Sequence, residues 1–185
     1  LGAGHEAEAP TGYDPDTGEA YWDFVVAGDP DGIKTVAITA VDALGNDAAL
    51  DPAGSVELDN TAPAVFVTGL SAAPGHNKID LSWTNPVGGD PDREAFGIMI
   101  RRVGWGDYPE YATAAPVYPD AATGTKVLEA GGLPDSYLDT TFPGPWSGRD
   151  IYYYQAFVFD KAYNYGPGDA GACDRATSYW LGDVD

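Results

Sequence analysis

Glycine and proline punctuate this chain so densely that few stretches of ten residues escape one: 24 Gly and 15 Pro are spread over 185 positions. Proline cannot continue a helix interior and glycine weakens one, so bundles and coiled coils are excluded and short strands joined by tight turns remain. The residues between the breakers agree. Gly32-Ile-Lys-Thr-Val-Ala-Ile-Thr-Ala-Val-Asp42 alternates, with Val36, Ile38 and Ala40 on one face and Thr35, Ala37 and Thr39 on the other, the two-residue period of a half-buried strand. Ile79-Asp-Leu-Ser-Trp83 does the same and turns Ile79, Leu81 and Trp83 inward. Further β-rich runs cover 20–27, 65–70, 96–103, 136–140, 151–159 and 176–181, separated by turn clusters at 28–32, 85–92 and 142–145. Short strands with no helical pattern between them predict antiparallel sandwiches. Alternation further predicts one core holding Ile79, Leu81, Trp83, Tyr152, Tyr154 and Val158.

A hydrophobic content of 44%, with 12% aromatics, is too apolar for an acidic disordered tail, so the chain has a core to pack. Its 29 acidic against 9 basic side chains give a formal charge of -20. Such a charge argues against phosphate-backbone binding and an anionic membrane surface, and no apolar run approaches the roughly 20 residues of a membrane span. Neither nucleic acid nor membrane insertion is expected. The acids are mostly aspartates beside Gly, Pro or Asn. Two readings follow: turn caps on a solubilising surface, or oxygen ligands for calcium, which takes six to eight of them. The Asp14-Pro-Asp16-Thr-Gly18-Glu19 stretch reads as a turn, because its glycine falls one place early for an EF-hand loop.

An internal echo organises the chain. Val36-Ala-Ile-Thr-Ala-Val-Asp42-Ala-Leu-Gly-Asn46 lines up with Tyr154-Gln-Ala-Phe-Val-Phe-Asp160-Lys-Ala-Tyr-Asn164, each with Asn four residues after Asp. Two sandwiches would each contribute such a strand and turn. Between them, Asp59-Asn-Thr-Ala-Pro63 ends one strand and forces an extended entry into the next. The boundary is therefore expected at 62/63, with an all-β chain of two antiparallel β-sandwich units in tandem.

Residues 20–63, with Asp42-Ala-Leu-Gly45-Asn46 and Asp59-Asn-Thr-Ala-Pro63, resemble the last strands of bacterial immunoglobulin-like repeats. Residues 64–181 resemble a fibronectin type III domain: Leu81-Ser-Trp83-Thr-Asn-Pro86 matches its second strand, Phe96–Arg102 its third, Ser136–Thr140 its fifth and Ile151–Asp160 its sixth. A loop-rich insertion near 104–133 departs from that pattern. Leu181-Gly-Asp183-Val-Asp185 resembles the opening of a dockerin, leaving 182–185 as a tail or the start of such a repeat. The immunoglobulin-like resemblance implies that Asp42, Asn46 and Asp59 meet at the junction with the next domain, where calcium stiffens the rod; Asp160 and Asn164 hold the analogous turn. Tyr163 replaces the glycine there, which puts the turn geometry in question.

Catalytic constellations are poor. His5 and His76 are the only histidines, one near the chain start and one in a Pro-Gly-His-Asn turn, and Cys173 is the only cysteine, which forbids an internal disulfide. No nucleophile–base pair or phosphate loop stands out. Trp105, Tyr108, Tyr111, Tyr118 and Trp146 lie in or near the insertion. They read either as rings stacking on polysaccharide or as cover for the insertion. The expected function is a non-catalytic structural, spacer or assembly module of a secreted or cell-surface protein, with calcium as stiffener; the alternative is a carbohydrate-binding accessory module. A start at Leu1 is compatible with a removed signal peptide. An immunoglobulin-like sandwich takes about seven strands, and 1–62 offers three clear ones. That deficit suggests neighbouring β-sandwich domains or other copies of the chain as partners, joined head-to-tail through residues 1–12 or a free edge into a filament.

Overall fold

The computed structural model describes residues 9–23, 28–88, 94–104, 118–141 and 151–177. The chain is all-β and divides into two compact units, Leu1–Thr61 and Ala62–Asp185.

The first unit holds two ladders: β1 (Gly12–Asp14) with β2 (Glu19–Tyr21), and β3 (Gly32–Val41) with β4 (Asp47–Leu58). In the longer one, Ile38 stands opposite Leu50, Ala40 opposite Ala48 and Lys34 opposite Val56. Cross-strand partners point to the same side, so the side carrying Val36, Ile38 and Ala40 gains Leu50, Val56 and the buried Leu58. Around Asp51–Pro52 the register shifts, with two extra residues on β4. A proline has no N–H to give the ladder and is accommodated at such a bulge. That break is why 47–52 does not read as strand in the sequence. The stretch 14–19 is the β1–β2 turn: the Asp14 carboxylate accepts from Asp16 N at 2.9 Å, and Gly18 adopts φ 74°.

The second unit has seven strands in two sheets. One is β5 (Thr68–Gly75), β6 (Lys78–Thr84) and β9 (Ser136–Asp139), in the order β5-β6-β9. The other is β7 (Gly97–Gly104), β8 (Thr125–Gly131), β10 (Ile151–Phe159) and β11 (Cys173–Thr177), in the order β11-β10-β7-β8. All described pairings are antiparallel. The sheets face each other across one core in which Ile79, Leu81 and Trp83 meet Ile98, Ile100, Tyr152, Tyr154 and Val158. The inward set expected from alternation is therefore observed. The Trp83 indole N–H donates to Asn85 Oδ1 at 3.0 Å, which satisfies the polar edge of that buried ring. Between the sheets' edges, the Ala72 amide of β5 donates to the Asp174 carboxylate of β11 at 2.8 Å.

Two features depart from the expected pattern. The stretch taken as a loop-rich insertion contains β8, an edge strand on β7. The outer face of β10 is also buried: Tyr153, Gln155, Phe157 and Phe159 are as covered as their inward neighbours. Ala121, Phe96 and Tyr165 pack against Met99, Phe157 and Phe159, and Tyr118 meets Tyr153 edge-on at 5.7 Å. Gln155 donates to the carbonyls of Asp169 and Ala172 at 3.1 and 3.0 Å, tying the β10–β11 connection over the sheet. Gly97 is needed here, since a Cβ at this position would lie 2.3 Å from the Phe159 ring.

Candidate functional site

Inward phase on a strand selects apolar residues, yet it also places Arg102 and Asp139 inside. Arg102 follows Ile98 and Ile100 on β7 and stands opposite Tyr154 on β10; Asp139 ends β9 in the facing sheet, opposite Ile79. Asp139 is wholly buried and Arg102 is 6% exposed. A buried charge must be paired and hydrogen-bonded, and both are. The Asp139 carboxylate accepts from Arg102 Nη1 at 2.5 Å, Tyr154 O–H at 2.9 Å, Thr141 N at 2.9 Å and Thr141 Oγ1 at 2.7 Å. Arg102 Nη2 donates to the Thr141 carbonyl at 3.2 Å, and its guanidinium lies 4.8 Å from the Tyr152 ring centroid. Burial, then the Asp139 charge, push the Tyr154 hydroxyl well above the ordinary tyrosine range. This clasp spans the two sheets and its polar groups point at one another, so its chemistry is structural. Sequence reading passed over it, although a charge in the same phase as Ile98 and Ile100 was the available signal.

The two Asp–Asn turns are near copies. In the first, Asp42 Oδ1 accepts from Leu44 N at 2.8 Å and Asn46 N at 2.9 Å, and Oδ2 accepts from Asn46 Nδ2 at 2.7 Å. In the second, Asp160 accepts from Asn164 N and Nδ2, both at 2.9 Å. Backbone bonds Asp42 N to Asn46 O and Asp160 N to Asn164 O close them alike. The expectation that Tyr163 would disturb the turn is corrected: it takes the left-handed φ of 63° where Gly45 takes 85°. The hydrogen bonds from Asn46 side chain and backbone hold the Asp42 carboxyl below its usual range.

The three-residue calcium site does not form. Asp42 and Asn46 cap the turn end of the β3–β4 ladder, whereas Asp59 follows Leu58 at the other end, where Leu58 pairs with Gly32. About nine residues at a rise of ~3.3 Å separate those ends by roughly 30 Å. Asp59 instead accepts from Thr61 N at 3.3 Å, beside Asp31, which takes the Asn60 amide at 2.7 Å and the Thr61 hydroxyl. The carboxylates of Asp42 and Asp160 face N–H donors, whose positive ends take the place a cation would need. Among the described residues, no group of three or more His, Cys, Asp or Glu converges as a metal site.

Of the rings considered for polysaccharide, Trp105, Tyr108, Tyr111 and Trp146 lie outside the described residues, as does the dockerin-like end. Tyr118 packs on Tyr153 near Cys173. Burial pushes the Cys173 thiol up, which makes it a poor nucleophile. An exposed ring stands elsewhere. Tyr163 is 55% exposed and stacks on the buried Phe159, with centroids 5.2 Å apart and planes 16° from parallel. Beside it the Tyr165 hydroxyl donates to Glu129, which also takes Lys126 Nζ at 2.5 Å. Burial and then the Glu129 bond raise Tyr165 to about 12, while Lys126 and Tyr165 lower Glu129.

No protein-family profile matches the chain, and no curated protein matches it. Among solved structures it is similar to the crystal structure of a beta-1,2-glucanase from Parabacteroides distasonis, at 20% identity and a TM-score of 0.42, over 77% of this chain and 17% of that one. The chain thus spans under a fifth of that protein's length. At that TM-score the likeness assigns neither fold nor activity.

Proposed function

We propose that this chain is a non-catalytic spacer or structural module of a secreted or cell-surface protein, an immunoglobulin-like unit followed by a fibronectin type III-like one. The observation that carries the reading is strand order. The four motifs that resemble the second, third, fifth and sixth fibronectin type III strands fall on β6, β7, β9 and β10, in those ordinal places among seven strands of two facing antiparallel sheets. The polar chemistry inside this unit is consistent with that role. Its buried ion pair joins the sheets, and Gln155 fastens a connection. Association with neighbouring domains or further copies belongs to the same proposal, through the β3–β4 ladder, which has no third strand among the described residues.

Stretching the purified chain between marker domains tests the reading. A spacer built of separately folded units gives a discrete unfolding event for 62–185, and chromogenic glycoside, ester and peptide substrates are not turned over. Turnover abolished by a single side-chain substitution overturns it.

A further inference from the structure

Tyr163 carries a cost that its sister turn avoids. The turns Asp42–Asn46 and Asp160–Asn164 share their hydrogen bonds, and both put their fourth residue in the left-handed region. Glycine adopts that region freely, whereas another residue gives up about 1 kcal/mol there. Such strain at a side chain that the turn does not require is a pointer to use.

The ring is also prepared for contact. One face lies on Phe159, which is itself held edge-on by Phe96 at 6.0 Å and flanked by Tyr165 at 5.7 Å. The exposure of Tyr163 therefore belongs to its opposite face and edge. Alongside are hydrogen-bonding groups already fixed in place: the Tyr165 hydroxyl, the Glu129 carboxylate and the Lys126 ammonium. Arg101 is close enough to act electrostatically on Glu129 and Tyr165, and it is anchored by its own bond to the Gly124 carbonyl at 3.0 Å.

We propose that Tyr163 is a stacking platform for a pyranose ring of a neutral polysaccharide, with Glu129 and its partners meeting the sugar hydroxyls. A flat apolar face bordered by a few fixed polar groups is the arrangement that holds a sugar. The charge of -20 disfavours an anionic glycan. A polyproline peptide docks in a groove lined by several open rings, and the ring next to Tyr163, Phe159, is buried. The site is separate from Trp105, Tyr108, Tyr111 and Trp146, and a spacer can carry it, so its failure leaves the spacer reading standing.

Affinity electrophoresis of the full chain through gels containing hydroxyethylcellulose, a mixed-linkage β-glucan or a galactomannan tests this. Wild type is expected to be retarded by at least one, and Tyr163→Phe to match it. Tyr163→Gly, which restores the residue type of the sister turn, should lose about tenfold or more in apparent affinity with its melting temperature within a few degrees of wild type. Glu129→Gln should bind more weakly than wild type while keeping the ring. The proposal is overturned if none of the three retards wild type, if Tyr163→Gly is retarded as strongly as wild type, or if a proline-rich peptide binds at Tyr163 and the sugars do not.

Discussion

Removing the Asp139 carboxylate is the sharpest perturbation of the second unit. Asp139→Ala leaves the Arg102 guanidinium, 6% exposed, without its counter-charge, a change that costs about 3–5 kcal/mol. It also strips the Tyr154 hydroxyl of the acceptor it holds at 2.9 Å, worth a further ~1–3 kcal/mol for an unsatisfied buried group. These terms share one site and do not simply add, so about 4 kcal/mol is the expected floor. Total stabilities run to only ~5–15 kcal/mol. Urea unfolding followed by tryptophan fluorescence reads the effect: at an m-value of about 2 kcal/mol/M the midpoint falls by roughly 2 M. Should Asp139→Ala fail to fold, the combined variant Arg102→Met, Asp139→Leu, Tyr154→Phe keeps the reasoning testable. It replaces every member of the clasp by an apolar shape and should recover to within about 2 kcal/mol of wild type. A loss under ~1 kcal/mol for Asp139→Ala, or a combined variant no better than the single one, would refute the account of a desolvated, mutually dependent network.

Trp83→Ala empties the centre of the same core and should lower stability by about 3–5 kcal/mol; a loss near zero in the same urea assay would count against the observed register. Because N–H donors already occupy the Asp42 carboxylate and Asp59 lies at the far end of the ladder, calcium or chelator should change the melting temperature equally in wild type, Asp42→Ala and Asp59→Ala. A calcium-dependent rise lost in either variant would restore the metal site. Tyr154 and Tyr165 have folded pKa values above the ordinary 10.0. The folded state thus keeps those protons longer, and the associated stability is complete below pH ~10 and lost as pH climbs through the raised values. For Tyr165 the window is 10.0 to about 12; the urea midpoint should fall across it, and fall less in Tyr165→Phe, whereas a flat profile would exclude the linkage.

Where alternation was clean the strands were legible: Ile79, Leu81 and Trp83 lie inward on β6, as do Tyr152, Tyr154 and Val158 on β10. The run 151–159 held a second message, because a nearly unbroken apolar sequence signals burial on both faces. Reading it by alternation alone hid the cover over Tyr153 and Phe157. β4 was concealed by Asp51-Pro52 at its bulge, and β8 by the turn-rich residues around it. The Asp–Asn turns were visible as sequence echoes, but what their oxygens face was not. Spacing along the chain says nothing of which end of a hairpin a residue occupies, and Asp59 was misplaced for that reason.

Burial of β10 on both sides sets the order in which this unit can come apart. Its amides sit between β7 and β11 and under the turn that Gln155 fastens, so they should be among the slowest to exchange with solvent, opening only with the whole unit. The cover itself is held by fewer bonds and can lift first. When it does, Met99, Phe157 and Phe159 become a bare apolar strip on an otherwise acidic protein. Shelf life in concentrated solution would then follow that local opening rather than global unfolding, and a tighter Gln155 fastening would slow clumping without moving the melting temperature.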